Sequence, residues 1–193
     1  MTKQEIRTQI KEKLLQNKQQ LNFWSHKICK NIINSDFYKS SKTVYAYMSL
    51  SDEVNLCEVI DDAILKNKTV YIPKIIPGTS KMIFYDYSKC SVKKGSFDIM
   101  EPQVQIVTEN FENTIINQNG EQVLFLIPGR FFSFDGKRVG RGKGFYDYYL
   151  QEFLKVNKKN VLLAGVCFPI QIGKQVPAAE HDIQMNTLFT CSK

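Results

Sequence analysis

The sequence predicts a three-layer α/β/α domain built around a mostly parallel, Rossmann-like sheet. Short segments rich in β-branched and aromatic residues alternate with longer amphipathic stretches, and this alternation is typical of βαβ units. Residues 122–128 and 161–168 are continuous apolar runs, as expected for strands that a parallel sheet buries on both faces. With 193 residues and 43% hydrophobic content, the chain suffices for one core, so we expect residues 1–193 to form a single domain.

Four stretches place apolar residues at helical spacing. Near the N-terminus, Ile6, Ile10 and Leu14 recur every fourth position among charged residues, which predicts an amphipathic helix. The predicted helices cover 3–17, 22–33, 55–67 and 145–156.

The predicted strands are short and lie between or beside these helices. They cover 43–50, 69–75, 82–88, 122–128, 161–168 and 186–190. Pro73 and Pro77 are expected to end the second strand, since proline cannot donate to a ladder, and the third is expected near a sheet edge. Residues 89–121 favour no regular element. Ligands of such sheets bind at the carboxyl ends of the strands, which is where functional residues are expected.

The formal net charge of +7 is confined to two short segments. Residues 1–30 carry +5 and residues 136–144 carry +4, which leaves −2 for the rest of the chain. A nucleic-acid-binding module would show a longer basic face with interleaved aromatics, so this distribution favours a small polyanion as the ligand. We expect neither nucleic acid nor a membrane as a partner, because no apolar run approaches the length of a bilayer span.

The cysteines and histidines exclude several other classes of site. Five cysteines without a CxxC pair argue against a disulfide framework or a zinc ribbon, and two histidines are too few for a multi-histidine metal cage. The first residues contain acids and no apolar core of a signal peptide. We therefore expect a cytoplasmic protein, and we expect it to be a monomer.

The glycine-rich segment 136–144 is the strongest functional signal. It follows the strand predicted to end at Pro128 and opens into the helix predicted from Phe145. Its glycines and cations are Gly136, Gly140, Gly142, Gly144, Lys137, Arg138, Arg141 and Lys143. Backbone N–H groups at a helix start, together with arginine forks, bind phosphate well. The segment matches neither a Walker A loop nor a dinucleotide fingerprint. It favours a phosphate site, with a flexible basic surface loop as the alternative.

Asp147 lies in the first turn of the helix that follows this segment. A carboxylate there can complement the helix dipole. It can equally hold a Mg²⁺ ion that bridges nucleotide phosphates, since Mg²⁺ takes one or two carboxylates plus phosphate oxygens. Spacing alone leaves both interpretations open.

Four segments together carry a resemblance to a known family. They are KQEIR (3–7), YMSLSDEVN (47–55), PGRFFSFDGKRVGRGKGFYDYYL (128–150) and QVPAAEHDIQMNTLFT (175–190). In this order and spacing the chain resembles the 5-formyltetrahydrofolate cyclo-ligases, also called methenyltetrahydrofolate synthetases. The resemblance implies a three-layer fold similar to that of coenzyme A transferases. It also implies closure of 5-formyltetrahydrofolate to 5,10-methenyltetrahydrofolate with ATP and Mg²⁺, through phosphorylation of the formyl oxygen and attack by N10, with release of ADP and phosphate.

The resemblance also implies a role for individual residues. Lys3 and Arg7 would reach the nucleotide from the first helix; without the resemblance they are solvated charges on one helix face. The phosphate loop and its flank would comprise Arg138, Gly140, Arg141, Gly142, Lys143, Gly144, Phe145 and Tyr146. Arg141 and Lys143 would act on the transferring phosphoryl group as the catalytic residues. Asp147 and Asp182 would hold Mg²⁺, although Asp182 taken alone is only a loop carboxylate.

On the folate side the resemblance implies Met48, Glu53 and Phe145. Glu53 would hydrogen-bond the pterin, and Phe145 with Tyr146 would offer flat faces for stacking. The alternatives are a helix N-terminal acid at Glu53, with Asp52 as a cap, and ordinary core positions for the two aromatics. The folate, with or without a polyglutamate tail, is the small-molecule partner that this implies.

The chain departs from the family pattern in two places. Ser133 stands where the family commonly has an acid, and the segment 93–102 matches only loosely, so Phe97 and Glu101 are left out of the predicted site.

The chain could instead be a relative that binds ATP but acts on another heterocycle. It could also be an isomerase or transferase that holds a phosphate without ATP. A nucleic-acid-binding module is the third alternative.

Overall fold

A computed structural model describes residues 1–79, 81–95, 100–103, 121–157, 160–177 and 182–192. The helices are α1 (Lys3–Gln16), α2 (Leu21–Asn34), α3 (Asp36–Ser40), α4 (Cys57–Leu65) and α5 (Phe145–Val156). The strands are β1 (Thr43–Tyr45), β2 (Thr69–Ile75), β3 (Met82–Asp86), β4 (Ser91–Lys94), β5 (Met100–Gln103), β6 (Val123–Pro128), β7 (Phe131–Ser133), β8 (Arg138–Val139), β9 (Val161–Val166), β10 (Ile172–Gly173) and β11 (Thr187–Phe189).

The central sheet has six strands in the order β11-β9-β6-β1-β2-β3. All neighbours pair in parallel except β2 and β3, which are antiparallel, with β3 at the edge. The mostly parallel sheet and the edge position of residues 82–86 confirm the predictions. In β6, the side chains of Val123, Phe125 and Ile127 enter one apolar cluster. Leu124 and Leu126 enter the other, as expected for a strand buried on both faces.

Helices cover both faces of this sheet and form the predicted three layers. Helices α1, α2 and α4 contribute their buried residues to the cluster on one face. Helix α5 packs on the other face through Tyr149, Leu150 and Phe153. The predicted stripe of Ile6, Ile10 and Leu14 is buried in α1, which confirms its apolar face.

The first strand is shorter than predicted, and Pro73 explains why. Strand β1 ends at Tyr45, whereas the prediction extended to residue 50. The N–H of Ala46 donates to the carbonyl of Tyr71, and the next bond of a parallel ladder would need an N–H at Pro73. Proline has none, so the chain leaves the sheet here. Pro73 itself lies inside β2 and does not end it, which corrects that expectation.

The glycine-rich segment does not form one continuous loop. Strands β7 and β8 form a hairpin that pairs with β10 in a small second sheet, and Gly136 lies in its turn at φ +85°. A Cβ at Gly136 would overlap the carbonyl oxygen of Met185, so a side chain does not fit there. Only residues 140–144 connect β8 to α5, and Arg138 belongs to a strand.

Several other boundaries differ from the predictions. Helix α4 covers Cys57–Leu65, whereas the prediction covered 55–67, and its Ile64 is 45% exposed. Strands β4 and β5 form a hairpin within the stretch for which the sequence favoured no element. None of the helices in the described part of the chain combines the length and apolarity that a bilayer span requires. The five cysteines are all free thiols.

Candidate active site

A cavity of about 950 Å³ opens at the carboxyl edge of the parallel strands. Tyr47 and Met48, which follow β1, line it together with Pro128 and Gly129 at the end of β6. Switch-point crevices of α/β sheets lie at this edge, and the volume is at the upper end of the range for ligand pockets. The cavity therefore lies where the sequence analysis expected functional residues, at the carboxyl ends of the strands.

The fourteen residues predicted for the site all line this one cavity. They are Lys3, Arg7, Met48, Glu53, Arg138, Gly140, Arg141, Gly142, Lys143, Gly144, Phe145, Tyr146, Asp147 and Asp182. The fold thus collects segments from both ends and the middle of the chain. Their individual roles remain predictions.

The first helix contributes two cations, one turn apart. Thr2 caps α1: its hydroxyl accepts from the N–H of Glu5, whose carboxylate accepts from the N–H of Thr2. Lys3 Nζ donates to both carboxylate oxygens of Asp182, at 2.8 and 2.5 Å. Arg7 Nε donates to the carbonyl of Gly140 over 2.9 Å. Helix α1 is therefore tied to the segment 140–144 and to the C-terminal segment across the cavity.

The segment 140–144 keeps backbone groups open to the cavity. Gly142 and Gly144 have φ values of +103° and +71°, in the region that disfavours other residues. A Cβ at Gly142 would lie 3.4 Å from the guanidinium carbon of Arg7. Gly144 is the N-cap of α5, and no side chain in the described part of the chain caps that helix. The first N–H groups of α5 thus remain available to an anion.

Arg138 is buried in the wall of the cavity and already bonded. Its side chain is 5% exposed, and Nη2 donates to Oδ1 of Asp147 over 2.7 Å. Nη1 donates to the carbonyl of Pro128 over 3.2 Å, and the guanidinium carbon lies 5.7 Å from the ring centre of Tyr146. This arrangement positions Asp147 and Tyr146. Its burial makes Arg138 less accessible to phosphate than Arg141, whose side chain is 35% exposed, or the exposed Lys143.

Arg141 contacts two neighbouring carboxylates, Glu53, which lines the cavity, and Asp52. Its Nε donates to Oε1 of Glu53 over 2.9 Å, and its Nη2 donates to Oδ1 of Asp52. The other oxygen of Asp52 accepts from Nη1 of Arg130 over 2.6 Å. Oε2 of Glu53 accepts from the N–H of Leu50, which fixes this carboxylate in its turn. The predicted phosphate-binding arginine and the predicted pterin-binding glutamate are thus direct partners.

The sequence interpretation missed Asp52 and Arg130. Asp52 was a possible cap, but α4 begins at Cys57 with Leu56 at its N-cap, so Asp52 cannot serve there. Arg130 received no role at all. Its position just after a buried strand was a usable signal, because ligand groups of α/β sheets follow strand ends.

One wall of the cavity is apolar. Pro73 and Ile75 of β2 and Met82 of β3 line it, and Glu101 of β5 adds a carboxylate. Glu101 was left out of the predicted site because its segment matches the family pattern only loosely, yet it lines the cavity. Phe97, set aside with it, lies outside the described residues.

Tyr146 and Phe145 lie at the start of α5, half-buried and lining the cavity. Burial, and secondarily the Glu53 carboxylate, raises the pKa of the Tyr146 phenol well above its ordinary value. The phenol is therefore a neutral group at physiological pH. Both the stacking role and the core role predicted for these aromatics are compatible with their half-buried position.

Ser133, which departs from the family pattern, lies away from the cavity. It is fully buried in β7, where its hydroxyl oxygen accepts from the N–H of Lys137 over 3.2 Å and closes the hairpin. It does not line the cavity described above. The departure therefore concerns the hairpin that supports the site.

The described residues contain no cluster of three or more His, Cys, Asp or Glu that would form a protein-only metal cage. The two predicted Mg²⁺ ligands both line the cavity, with side chains 22% exposed at Asp147 and 15% at Asp182. Each pairs with a cation, Arg138 or Lys3. Because Mg²⁺ commonly takes one or two carboxylates and fills its sphere with water and phosphate oxygens, this donor set fits a nucleotide-bound Mg²⁺.

Comparison with known proteins gives a consistent set of relatives. Residues 1–191 match the model of the 5-formyltetrahydrofolate cyclo-ligase family. The chain is 28% identical to the mouse 5-formyltetrahydrofolate cyclo-ligase, over 84% of this chain and 79% of the mouse protein. It is 26% identical to the Haemophilus influenzae cyclo-ligase, over 95% and 94%. The structure of the Aquifex aeolicus 5,10-methenyltetrahydrofolate synthetase superposes with a TM-score of 0.73 at 27% identity, covering 97% of this chain and 89% of that one. The Mycoplasma pneumoniae synthetase shares the fold, with a TM-score of 0.69 at 22% identity and coverage of 98% and 99%.

Proposed function

Because the chain belongs to the 5-formyltetrahydrofolate cyclo-ligase family, we propose that this enzyme closes 5-formyltetrahydrofolate to 5,10-methenyltetrahydrofolate. The reaction would consume ATP with Mg²⁺ and release ADP and phosphate. The observation that carries the proposal is the convergence of cations from α1 and from residues 140–144 on one cavity beside an uncapped helix start.

The chemistry needs activation of a poor electrophile. The formyl group is amide-like, so its oxygen would first attack the γ-phosphorus of ATP, and ADP would leave. N10 of the folate would then attack the activated formyl carbon and close the ring, and the C–O bond to the phosphate group would break. Phosphoryl transfer of this kind requires positioning and neutralisation of charge more than a protein nucleophile. Among the described residues that line the cavity, none is a serine, cysteine or histidine, and the cations and carboxylates there would supply the positioning and the charge.

We assign the nucleotide to the cationic side of the cavity. Lys3 and Arg7 would contact it from α1, and the backbone N–H groups at the start of α5 would bind phosphate oxygens. Arg141 and Lys143 would neutralise the transferring phosphoryl group. Arg141 keeps part of its donor fork free for this, because its contacts to Glu53 and Asp52 use Nε and Nη2.

We assign the reduced folate to the apolar side. Met48, Pro73, Ile75 and Met82 offer a surface for the rings. Glu53, which retains lone pairs beyond its bonds to Arg141 and Leu50, would accept from pterin N–H groups. Phe145 would contact the folate from the start of α5.

Asp147 and Asp182 would hold the Mg²⁺ ion. When bound, the ion would neutralise charge on the nucleotide phosphates. For the protein residues this means that Asp147 would share its carboxylate between Arg138 and the ion, and Asp182 would share its own with Lys3. These two cations keep the carboxylates oriented into the cavity before the ligand arrives.

We further propose that one domain, residues 1–193, acts as a monomer in the cytoplasm. Light scattering coupled to gel filtration would test the oligomeric state, and a dimer mass would overturn the monomer. The anionic partner would be the nucleotide and the folate, with or without a polyglutamate tail, and not a nucleic acid.

One assay tests the central proposal. Purified protein is mixed with 5-formyltetrahydrofolate, ATP and Mg²⁺, and the near-ultraviolet absorbance of the methenyl product is followed. We expect product only when all three are present, with one phosphate released per product. Calorimetry with ATP alone runs in parallel. If ATP binds and no methenyl product forms, the cyclo-ligase activity is wrong and a relative acting on another heterocycle is favoured.

A further inference from the structure

Asp52 bridges two arginines, Arg141, which lines the cavity, and Arg130, which is not among the described lining residues. Its Oδ2 accepts from Nη1 of Arg130 over 2.6 Å, and its Oδ1 accepts from Nη2 of Arg141. Glu53 completes the set by accepting from Nε of Arg141. The result is a chain of charge-assisted hydrogen bonds that runs from Arg130 through Asp52 to Arg141.

Arg130 is the fixed end of this chain. Its N–H donates to the carbonyl of Val139 over 2.7 Å, and its own carbonyl accepts from Nε2 of the buried Gln171 over 3.2 Å. Its side chain is 13% exposed. Both the backbone and the guanidinium of Arg130 are therefore held by the scaffold.

Arg141 is the more exposed end of this chain. Its side chain is 35% exposed and comes from the glycine-flanked segment after β8. An arginine side chain loses much of its rotamer entropy when it is fixed, so an unrestrained Arg141 would sample many positions. The contacts to Asp52 and Glu53 restrict it before any ligand binds.

Charge balance depends on Arg130 as well. Two carboxylates, Asp52 and Glu53, face two arginines, and burial would raise the pKa of Asp52. The Arg141 and Arg130 guanidinium groups outweigh burial and hold that pKa below its ordinary value. Without Arg130, the group would carry a net charge of −1 beside a cavity that must accept a polyanion.

We propose that Arg130 and Asp52 are positioning residues for the phosphoryl-transfer step. Arg130 anchors Asp52, and Asp52 together with Glu53 holds the guanidinium of Arg141 over the cavity. This inference rests on the proposed function, in which Arg141 contacts the transferring phosphoryl group. It adds two residues that act only through Arg141.

A double-mutant cycle tests this dependence. The cyclisation rate is measured for the wild type, Arg130→Met, Arg141→Ala and the double variant. We expect Arg130→Met to lower kcat about tenfold in the wild-type chain, since a misplaced catalytic group costs ten- to a hundredfold. In the Arg141→Ala chain the same change should lower kcat less than twofold, because the group that it positions is already gone.

Two further variants serve as controls. Arg130→Lys should restore part of the rate, because lysine supplies a point charge to Asp52 without the fork of arginine. Lys155→Met removes one exposed cation that pairs with Glu152 on α5, away from the cavity, and should leave kcat unchanged. The Nε–H resonance of Arg141 gives a readout without turnover. We expect its exchange with water to accelerate in Arg130→Met.

Three results would overturn the proposal. Equal losses from Arg130→Met in both backgrounds, with a lowered melting temperature, would make Arg130 a structural residue only. A higher kcat in Asp52→Asn would mean that the ion pairs restrain Arg141 instead of positioning it. A wild-type rate in Arg141→Ala would remove Arg141 from the proposed function itself, and the positioning role with it.

Discussion

Arg141 and Glu53 are 88 residues apart in sequence, and Nε of the arginine donates to Oε1 of the glutamate over 2.9 Å. Resemblance to the family assigns the first to the nucleotide and the second to the folate. On these assignments, their direct contact would make the two ligand sites share a wall. Phosphoryl transfer to the formyl oxygen needs such adjacency, since the reacting atoms must come within about 3.5 Å of each other.

Replacement of Arg141 by alanine should lower kcat by at least ~100-fold, because a charge that stabilises the transferring phosphoryl group is lost. The absorbance of the methenyl product measures the rate. Lys137→Ala is the matched control, since this cation of the same glycine-rich segment pairs with Asp135 in the hairpin turn. A near-wild-type rate in Arg141→Ala would show that the segment is not catalytic.

Lys3→Gln should raise the KM for ATP about tenfold, with a smaller effect on the KM for folate. The ammonium group of Lys3 lies at the cavity and is oriented by Asp182, and in the proposed complex it would give ATP a charge-assisted hydrogen bond worth about 1.5 kcal/mol. Lys11→Gln, an exposed position on the same helix, removes an equal charge and should change neither constant. Equal effects of the two substitutions would mean that Lys3 acts only through the net charge.

The cavity could be located from the sequence because the part predicted to bind phosphate is contiguous. Glycines, cations and a helix start lie next to one another in residues 140–147, and their chemistry can be recognised without a fold. The alternating strands and helices also sufficed for the three layers, since each buried strand and each amphipathic face has its own periodicity.

Features that depend on distant pairing were beyond prediction. The contact of Asp52 with Arg130 joins residues 78 positions apart, and local spacing contains no information about it. The early end of β1 depends on Pro73 in the neighbouring strand, so it follows only once the register of β1 and β2 is known. Gly136 was grouped with the predicted phosphate-binding segment because it lies close to the other glycines in sequence. Its actual place, the turn of the β7–β8 hairpin, follows only from the pairing of those two strands.

Asp147→Asn should raise the Mg²⁺ concentration that gives half-maximal activity. The amide oxygen can still accept from Arg138, so the wall of the cavity keeps its geometry while one anionic ligand is lost. A titration of the initial rate with Mg²⁺ measures the shift. Glu152→Gln removes a carboxylate on the surface of the same helix and is the control. An unchanged titration for Asp147→Asn would remove this residue from the metal site.

The contribution of Asp52 to stability should depend on pH. Burial would raise its pKa, but Arg141 and Arg130 hold it below the ordinary value of 3.8. A carboxyl with a lowered pKa stabilises the fold above its unfolded pKa, and this contribution is lost as the pH falls through the folded pKa.

Asp52→Asn should therefore lower the melting temperature near neutral pH, and its difference from the wild type should shrink below about pH 4. Thermal unfolding followed by circular dichroism between neutral and acidic pH measures this difference. A difference that grows in acid would contradict the assigned ion pairs.

Gly144→Ala should separate the needs of the site from those of the fold. Gly144 and Gly78 have φ values of +71° and +75°, and at both positions an added Cβ would meet no described atom within 4 Å. Each alanine should therefore cost about 1–2 kcal/mol of stability through backbone strain alone. Only Gly144→Ala should also weaken ATP binding, because Gly144 is the N-cap of α5 and sets the direction of the first N–H groups of that helix. Urea unfolding measures the first effect and calorimetry with ATP the second. If both variants bind ATP like the wild type, the left-handed turn at Gly144 serves the fold and not the nucleotide.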